Sequence, residues 1–178
     1  NLEKSRNTIE ALLNICLKNN KKLTIYYTMA FGTPYGEECN IDQLARETEY
    51  LNKLEINKIV LTDVIGVGTP ESIGEVFKAL VPAYPDIRFG LHLHSTLEKW
   101  YEKIDAAWQN GCKSFEGVLN GLGGCPMAGH ELVGNIRTGL LLQYFQENNI
   151  PVNINKVAFE HAFSKSITTF APPKAETN

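Results

Sequence analysis

Short apolar segments alternate along the chain with longer amphipathic ones, at a period of about thirty residues, the length of one strand-and-helix unit. The apolar segments are rich in β-branched and aromatic residues and predict strands over 23–30, 58–63, 87–94 and 113–119. The longer segments carry apolar residues at helical spacing and predict helices over 2–18, 41–54, 71–80, 97–110 and 134–148.

Strands this apolar, each followed by a helix, predict a parallel sheet covered by helices. An open doubly wound sheet and a closed (β/α)8 barrel both have this pattern. A barrel needs eight units and about 250 residues, whereas this chain has 178 residues and opens on a helix. Because four strands alone would leave two open edges, we expect that upstream units are missing from this sequence. We predict that residues 1–163 are the C-terminal part of a barrel and that 164–178 are an extension without periodic pattern.

Charge and composition narrow the functional class. Seventeen basic residues against twenty acidic ones leave a net charge of −3 without a basic cluster, which argues against nucleic-acid binding. No apolar run reaches the roughly 18 residues of a membrane span, and the first residues lack the pattern of a secretory signal. The four cysteines form no Cys-x-x-Cys pair, which favours a reducing, cytoplasmic setting.

Two histidines stand one residue apart near the end of the third predicted strand, in Leu91-His92-Leu93-His94. Residues i and i+2 of a strand face the same side, with Cα atoms about 6.6 Å apart. His92 and His94 can therefore bind one cation together. The alternative is that the rings are ordinary core or surface histidines.

Other reactive side chains also follow strand ends. Asp63 ends the second predicted strand, and Cys125 lies in the loop after the fourth. Active sites of (β/α)8 enzymes lie at the carboxyl ends of the strands, so these positions favour an enzyme. Asp63 is alternatively a cap of the following turn. Cys125 is alternatively a small buried hydrophobe, although its glycine-rich surroundings favour exposure.

The loop that carries Cys125 reads Gly121-Leu122-Gly123-Gly124-Cys125-Pro126. Gly123 and Gly124 allow backbone conformations closed to other residues, so the loop can approach a ligand or form a lid, with a plain tight turn as the alternative. Asn135 follows this loop and precedes the last predicted helix. It is there either an N-cap or an oxygen ligand of a divalent cation.

Four motifs together carry a resemblance to a known family. In chain order they are Phe-Gly-Thr-Pro-Tyr at 31–35, Leu-Thr-Asp-Val-Ile-Gly-Val-Gly-Thr-Pro at 61–70, the His-x-His strand and the Gly-Gly-Cys-Pro loop. From residue 1 to about residue 163 the chain resembles the 3-hydroxy-3-methylglutaryl-CoA lyase family of the DRE-TIM metallolyases. Related isopropylmalate and homocitrate synthases share the His-x-His strand, whereas the Gly-Gly-Cys-Pro loop is typical of the lyase branch.

This resemblance implies a (β/α)8 barrel that cleaves hydroxymethylglutaryl-CoA to acetyl-CoA and acetoacetate with Mg2+ or Mn2+. It implies that His92 and His94 are imidazole ligands of the cation and that Asn135 is an amide-oxygen ligand. Cys125 is then the catalytic cysteine of the loop, and Asp63 the acidic residue that borders the metal. The expected partner is a small acyl-CoA or hydroxy acid, and the expected assembly is a homodimer.

Several positions differ from the pattern of this family. Ser95-Thr96 replaces Asp-Thr after His94, and one extra residue separates Cys125 from Asn135. Unusual residues also occupy the fourth strand and the last helix, namely Glu116, Asn120, Gly139 and Leu140. Three interpretations therefore remain open: a hydroxymethylglutaryl-CoA lyase, an aldolase or Claisen-type relative acting on another hydroxy or oxo acid, and a barrel without activity.

Overall fold

The computed structural model describes residues 2–33, 35–37, 39–96, 99–123 and 133–170. Helices and strands alternate along most of this length, as the hydrophobic pattern predicts. The elements are α1 (Leu2–Lys18), β1 (Ile25–Tyr27), α2 (Ile41–Lys53), β2 (Lys58–Asp63), α3 (Pro70–Ala83), β3 (Arg88–Leu93), α4 (Trp100–Gln109), β4 (Phe115–Glu116), α5 (Thr138–Glu147) and α6 (Lys156–Thr169).

The four strands form one parallel sheet in the order β1-β2-β3-β4. The prediction of a parallel sheet with helical connections is therefore confirmed. The register pairs Ile59 with Phe89 and Leu61 with Leu91, and it pairs Thr62 with His92. Because paired residues of parallel strands point to the same side, this register divides the side chains between two faces.

One face of the sheet packs against the helices and forms the core. Ile59, Leu61 and Leu91 lie on this face and are at most 1% exposed. They pack in one cluster with apolar residues of α2, α3 and α4, among them Leu51, Phe77 and Ile104. The helices are thus held to the sheet by apolar burial.

The opposite face carries the polar side chains. It presents Thr62 of β2, His92 of β3 and Glu116 of β4, which are successive register partners. Tyr26 of β1 lies on the same face, because its own partner Val60 is two residues before Thr62. The Tyr26 hydroxyl donates a hydrogen bond of 2.8 Å to Glu116 Oε1, which joins the first strand to the fourth. Adjacent strands lie about 4.8 Å apart, so three such spacings separate β1 from β4 in a flat sheet. A side-chain contact across that distance is easiest when the sheet curves toward this face.

Two strands, β1 and β4, are less than half as long as their hydrophobic patterns predict, and each has a backbone cause. β1 ends at Tyr27 because the chain turns at Met29, whose φ is +61°. β4 ends at Glu116 because residues 134–138 then pair with the chain: Val118 N donates to Ile136 O. The same pairing delays the start of α5 to Thr138, four residues after the predicted start.

The last helix was not predicted. Residues 164–169, which are predicted to belong to an extension without periodic pattern, form the end of α6. Asn155 caps this helix by accepting a hydrogen bond from Ala158 N, and Asn120 Nδ2 donates to Ser166 Oγ at 2.6 Å. The helix escapes sequence analysis because Ser166 is its one buried residue, so it has no apolar stripe. Among the described helices, none combines the length and apolarity of a membrane span.

We expect Leu61→Ala to lower the free energy of unfolding by about 2–5 kcal/mol, since Leu61 is fully buried between β2 and the helices. Urea denaturation of the intact protein measures this loss. Leu17→Ala is the control, because Leu17 on α1 is 67% exposed and its truncation should cost less than about 0.5 kcal/mol. Equal losses for both variants would contradict the burial of Leu61 between the sheet and the helices.

Candidate functional site

His92 and His94 lie together at the carboxyl end of β3. Their ring centroids are 5.4 Å apart, and the ring planes are inclined by 48°. Rings that bind one cation through nitrogen at about 2.1 Å have centroids roughly 5 Å apart. The spacing of this pair therefore suits a shared divalent ion, as the His-x-His pattern predicts.

Each ring is oriented through its Nδ1 atom. His92 Nδ1 lies 3.2 Å from Glu116 Oε2, and His94 Nδ1 lies 2.8 Å from the carbonyl oxygen of Val133. Both oxygens are acceptors, so each Nδ1 carries the proton and donates. With the proton on Nδ1, the Nε2 lone pair is the one that a metal can bind, which is the usual arrangement of metal-binding histidines.

Asn135 is held beside the histidine pair by the backbone. It forms an isolated antiparallel bridge with His94, while the neighbouring Ile136 N donates to Leu93 O at 3.0 Å. The Asn135 amide donates through Nδ2 to the carbonyl oxygen of Leu122, so its oxygen is the atom left to face a cation. The extra residue in the preceding loop therefore does not remove Asn135 from His94.

The beginning of the glycine-rich loop contacts Asn135 directly. Gly123 has a φ of +93°, and a Cβ added there would lie 3.1 Å from Asn135 Nδ2. Any larger residue at 123 would be strained and would press on the amide. Gly124 and Cys125, the other loop residues that the sequence singles out, lie outside the described residues.

Two further residues of the sheet face opposite the helices, Tyr26 and Thr62, lie next to His92. The Tyr26 ring packs edge-on against the His92 ring, with centroids 6.5 Å apart. The hydrogen bond to Glu116 raises the pKa of the Tyr26 hydroxyl, which therefore remains a donor at neutral pH. Thr62, the register partner of His92, buries an Oγ1 atom that has no hydrogen-bond partner within the described residues.

The donor set at this end of the sheet fits a divalent cation in part. It offers two imidazole nitrogens, one amide oxygen and the orphaned Thr62 hydroxyl beside them. Within the described ranges no cluster of three or more His, Cys, Asp or Glu residues could hold a metal. His92 and Glu116 also line a cavity of about 570 Å³, but its other walls come from β4, α5 and the segment after α5, so it lies at the β4 edge of the sheet and does not include His94 or Asn135.

Asp63 lies on the other side of the sheet from His92. It is 1% exposed, and its carboxylate accepts hydrogen bonds from Val67 N at 3.1 Å and Gly68 N at 2.9 Å. The side chain thus closes the turn between β2 and α3. Of the two interpretations of Asp63, this placement favours the turn cap, because residue 63 alternates with residue 62 and so faces the helices.

Lys103 completes a buried ion pair with Asp63. Its Nζ lies 3.6 Å from Asp63 Oδ2 and donates to the carbonyl oxygen of Gly66 at 3.1 Å. Burial lowers the pKa of Lys103, whereas the carboxylate of Asp63 opposes that shift. The pair fixes the backbone at Gly66, where an added Cβ would touch His94 O and Val133. The turn therefore supports the histidine site from behind.

Sequence analysis missed Lys103, although a signal was present. Trp100, Lys103, Ile104 and Ala107 are the buried residues of α4, at the spacing of one helical stripe. A lysine within an apolar stripe needs a buried partner. Searching the preceding strand ends for a carboxylate would have found Asp63.

Comparison with known proteins places the chain in a family. A family model described as HMGL-like matches residues 1–163. The chain belongs to the HMGL-like family. It is 32% identical over 126 residues to the (R)-citramalyl-CoA lyase of Chloroflexus aurantiacus, covering 71% of this chain and 39% of that protein. It is 30% identical over 150 residues to a hydroxymethylglutaryl-CoA lyase of Bacillus subtilis, covering 84% and 50%.

Solved structures confirm the fold of this HMGL-like chain. The crystal structure of the Bacillus subtilis HMG-CoA lyase superposes with a TM-score of 0.84 at 28% identity, covering 94% of this chain and 56% of that one. The four-stranded sheet is thus part of a (β/α)8 barrel, as the sequence predicts. The chain spans about half the length of the curated relatives it matches.

We expect Lys103→Met to lower the free energy of unfolding by about 3–5 kcal/mol, because it leaves the Asp63 carboxylate buried without its cation. Urea denaturation measures the loss. Adding Asp63→Asn should then cost less than it does in the wild type, since the two residues act as a pair.

Lys53→Met is the matched control, because Lys53 makes an exposed ion pair with Glu49 at 3.3 Å. That substitution should cost less than about 1 kcal/mol. A Lys103→Met variant as stable as the Lys53→Met variant would show that the buried pair does not hold the turn.

Proposed function

We propose that this HMGL-like protein is a divalent-metal-dependent lyase that cleaves the carbon–carbon bond of hydroxymethylglutaryl-CoA, with Mg2+ or Mn2+ as the cation. The observation that carries the proposal is the geometry of the histidine pair. His92 and His94 each have Nδ1 within hydrogen-bond distance of an acceptor oxygen, which leaves Nε2 for the metal, and the backbone bridge holds Asn135 beside His94. Two imidazoles and an amide oxygen are then three of the metal ligands.

The proposed reaction needs three events. First, the tertiary alcohol loses its proton. Second, the carbon–carbon bond breaks as the carbonyl of acetoacetate forms, and the bonding electron pair passes to the α-carbon of the thioester. Third, that carbon takes up a proton to give acetyl-CoA. A bound divalent cation would lower the cost of the first event, as it does for bound water.

The loop supplies the remaining chemistry in this proposal. Cys125, in the Gly-Gly-Cys-Pro sequence, would deliver the proton to the departing carbanion while Gly123 and Gly124 let the loop close over the substrate. We assign Asp63 a structural part instead of proton transfer, since both of its carboxylate oxygens are bound behind the sheet. It supports the site through the turn that adjoins His94.

A second candidate substrate has support of its own. The relative from Chloroflexus aurantiacus is named as a citramalyl-CoA lyase, and it is 32% identical to this chain. Citramalyl-CoA also carries a tertiary alcohol on the β-carbon of its thioester, the carbon whose bond to the α-carbon would break. Its cleavage would give acetyl-CoA and a 2-oxo acid. The same residues would serve both substrates. The homodimer and the cytoplasmic location stay predictions.

The metal site is tested by titrating the intact protein with Mn2+ and following free Mn2+ by electron paramagnetic resonance. We expect one bound ion, and we expect His92→Ala and His94→Ala each to weaken binding by more than the roughly 100-fold that losing an outer partner costs. His161→Ala is the control, because His161 lies exposed on α6.

Binding of Mn2+ that is unchanged in both histidine variants would overturn the proposed site. Absence of binding by the wild-type protein would instead favour a barrel without activity. Repeating the titration with Mg2+ as competitor ranks the two cations.

The reaction is tested by incubating the metal-loaded protein with hydroxymethylglutaryl-CoA or citramalyl-CoA and assaying acetyl-CoA and the second product. Acetoacetate from the first substrate is the expected result, with a loss of about 100-fold or more in kcat for Cys125→Ala. Cys16→Ala is the matched control, since Cys16 lies on α1, away from the sheet face. A 2-oxo acid from the second substrate alone would replace the proposed substrate, and no product from either would refute a lyase of this type.

A further inference from the structure

The Glu116 carboxylate lies between the His92 and Tyr26 side chains, on the sheet face opposite the helices. Its Oε2 atom accepts from His92 Nδ1 at 3.2 Å, and its Oε1 atom accepts from the Tyr26 hydroxyl at 2.8 Å. Each oxygen thus has one donor from a different strand. The carboxylate is 29% exposed and the His92 ring 26%, so the contact is partly screened from water.

Three strands cooperate in this arrangement. His92 and Glu116 are direct register partners on β3 and β4, so the backbone sets their separation. Tyr26 reaches them from β1, and its ring meets the His92 ring in a T-shaped contact with centroids 6.5 Å apart. The ring of His92 therefore has both a hydrogen bond and an aromatic contact.

The two histidines differ in what orients them. His94 is held by a backbone carbonyl, that of Val133, which a side-chain substitution leaves in place. His92 depends on the side chain of Glu116, and Glu116 depends in turn on Tyr26 for its second hydrogen bond. Acceptors on the outer nitrogen of a metal-binding imidazole fix its tautomer and its direction.

From these contacts we infer that Glu116 is a positioning residue that aims His92 Nε2 at the cation, and that Tyr26 acts through Glu116. The inference rests on the proposed metal site. It assigns Glu116 no contact with the metal or the substrate, because Oε1 and Oε2 are both engaged by donors that it holds in place.

The test measures two properties of the intact protein. The first is Mn2+ affinity, which should fall by about 10- to 100-fold in Glu116→Gln, the usual effect of removing an outer partner. Tyr26→Phe should cause a smaller loss, and it should cause no further loss when added to Glu116→Gln. The thermal midpoint without metal should stay within about 2 °C of the wild-type value in all three, since both residues are partly exposed.

The second property is the tautomer of His92 in the metal-free protein, observed by NMR of 15N-labelled histidine. The wild-type ring should carry its proton on Nδ1, and Glu116→Gln should shift the population toward the Nε2 tautomer. This shift reports on the hydrogen bond without any metal or activity.

A matched pair of controls lies between α1 and α2. The Tyr50 hydroxyl donates to Glu10 Oε1 at 2.7 Å, the same type of bond joining α2 to α1. Glu10→Gln and Tyr50→Phe should leave both the Mn2+ affinity and the His92 tautomer unchanged.

The outcomes separate this inference from the proposed function. If wild-type protein binds Mn2+ through His92 while Glu116→Gln binds equally well, the inference fails and the metal site stands. If Glu116→Gln abolishes binding as completely as His92→Ala while Tyr26→Phe has no effect, Glu116 is a ligand and the positioning part is refuted. If wild-type protein binds no Mn2+, both fail, although the tautomer measurement still reports whether Glu116 orients the ring.

Discussion

The alternation of side chains along parallel strands is the constraint on which this structure depends. On β2, β3 and β4 the paired residues 61, 91 and 115 face the helices, whereas the paired residues 62, 92 and 116 face the opposite side. A slip of one residue would exchange the two sets. It would carry the histidines into hydrocarbon and leave leucines on the polar face, so burial of the core also fixes the location of the site.

The backbone brings the last part of the site into place after β4. Residues 134–138 insert beside the ends of β3 and β4, where Ile136 donates to Leu93 and accepts from Val118. This pairing uses backbone groups and holds Asn135 at His94 although one extra residue precedes it in the loop. Hydrogen bonding of the buried backbone thus compensates for the extra residue in the loop.

The sequence contains enough information to predict the larger elements and the histidine pair. The strand over 58–63 has the predicted bounds, because the apolar run 59–61, which is fully buried, marks its centre. The predicted ends of β1 and β4 were wrong. A positive φ at Met29 ends β1, and pairing with the segment 134–138 ends β4, and the hydrophobic pattern shows neither. The helix over 156–169 was missed because it buries too little to leave a periodic signal.

The contacts that orient the histidines could not be read from spacing alone. Tyr26 and Glu116 are 90 residues apart, and nothing in either segment indicates that their side chains meet. β2 and β3 lie between their two strands, so their meeting depends on the shape of the whole sheet and on the helices that pack behind it. Asp63 illustrates the opposite error. Its position at a strand end suggested a catalytic part, but residue 63 faces the helices, where its carboxylate pairs with Lys103. Position along a strand tells which end of the sheet a residue occupies, whereas parity decides whether it can reach the site at all.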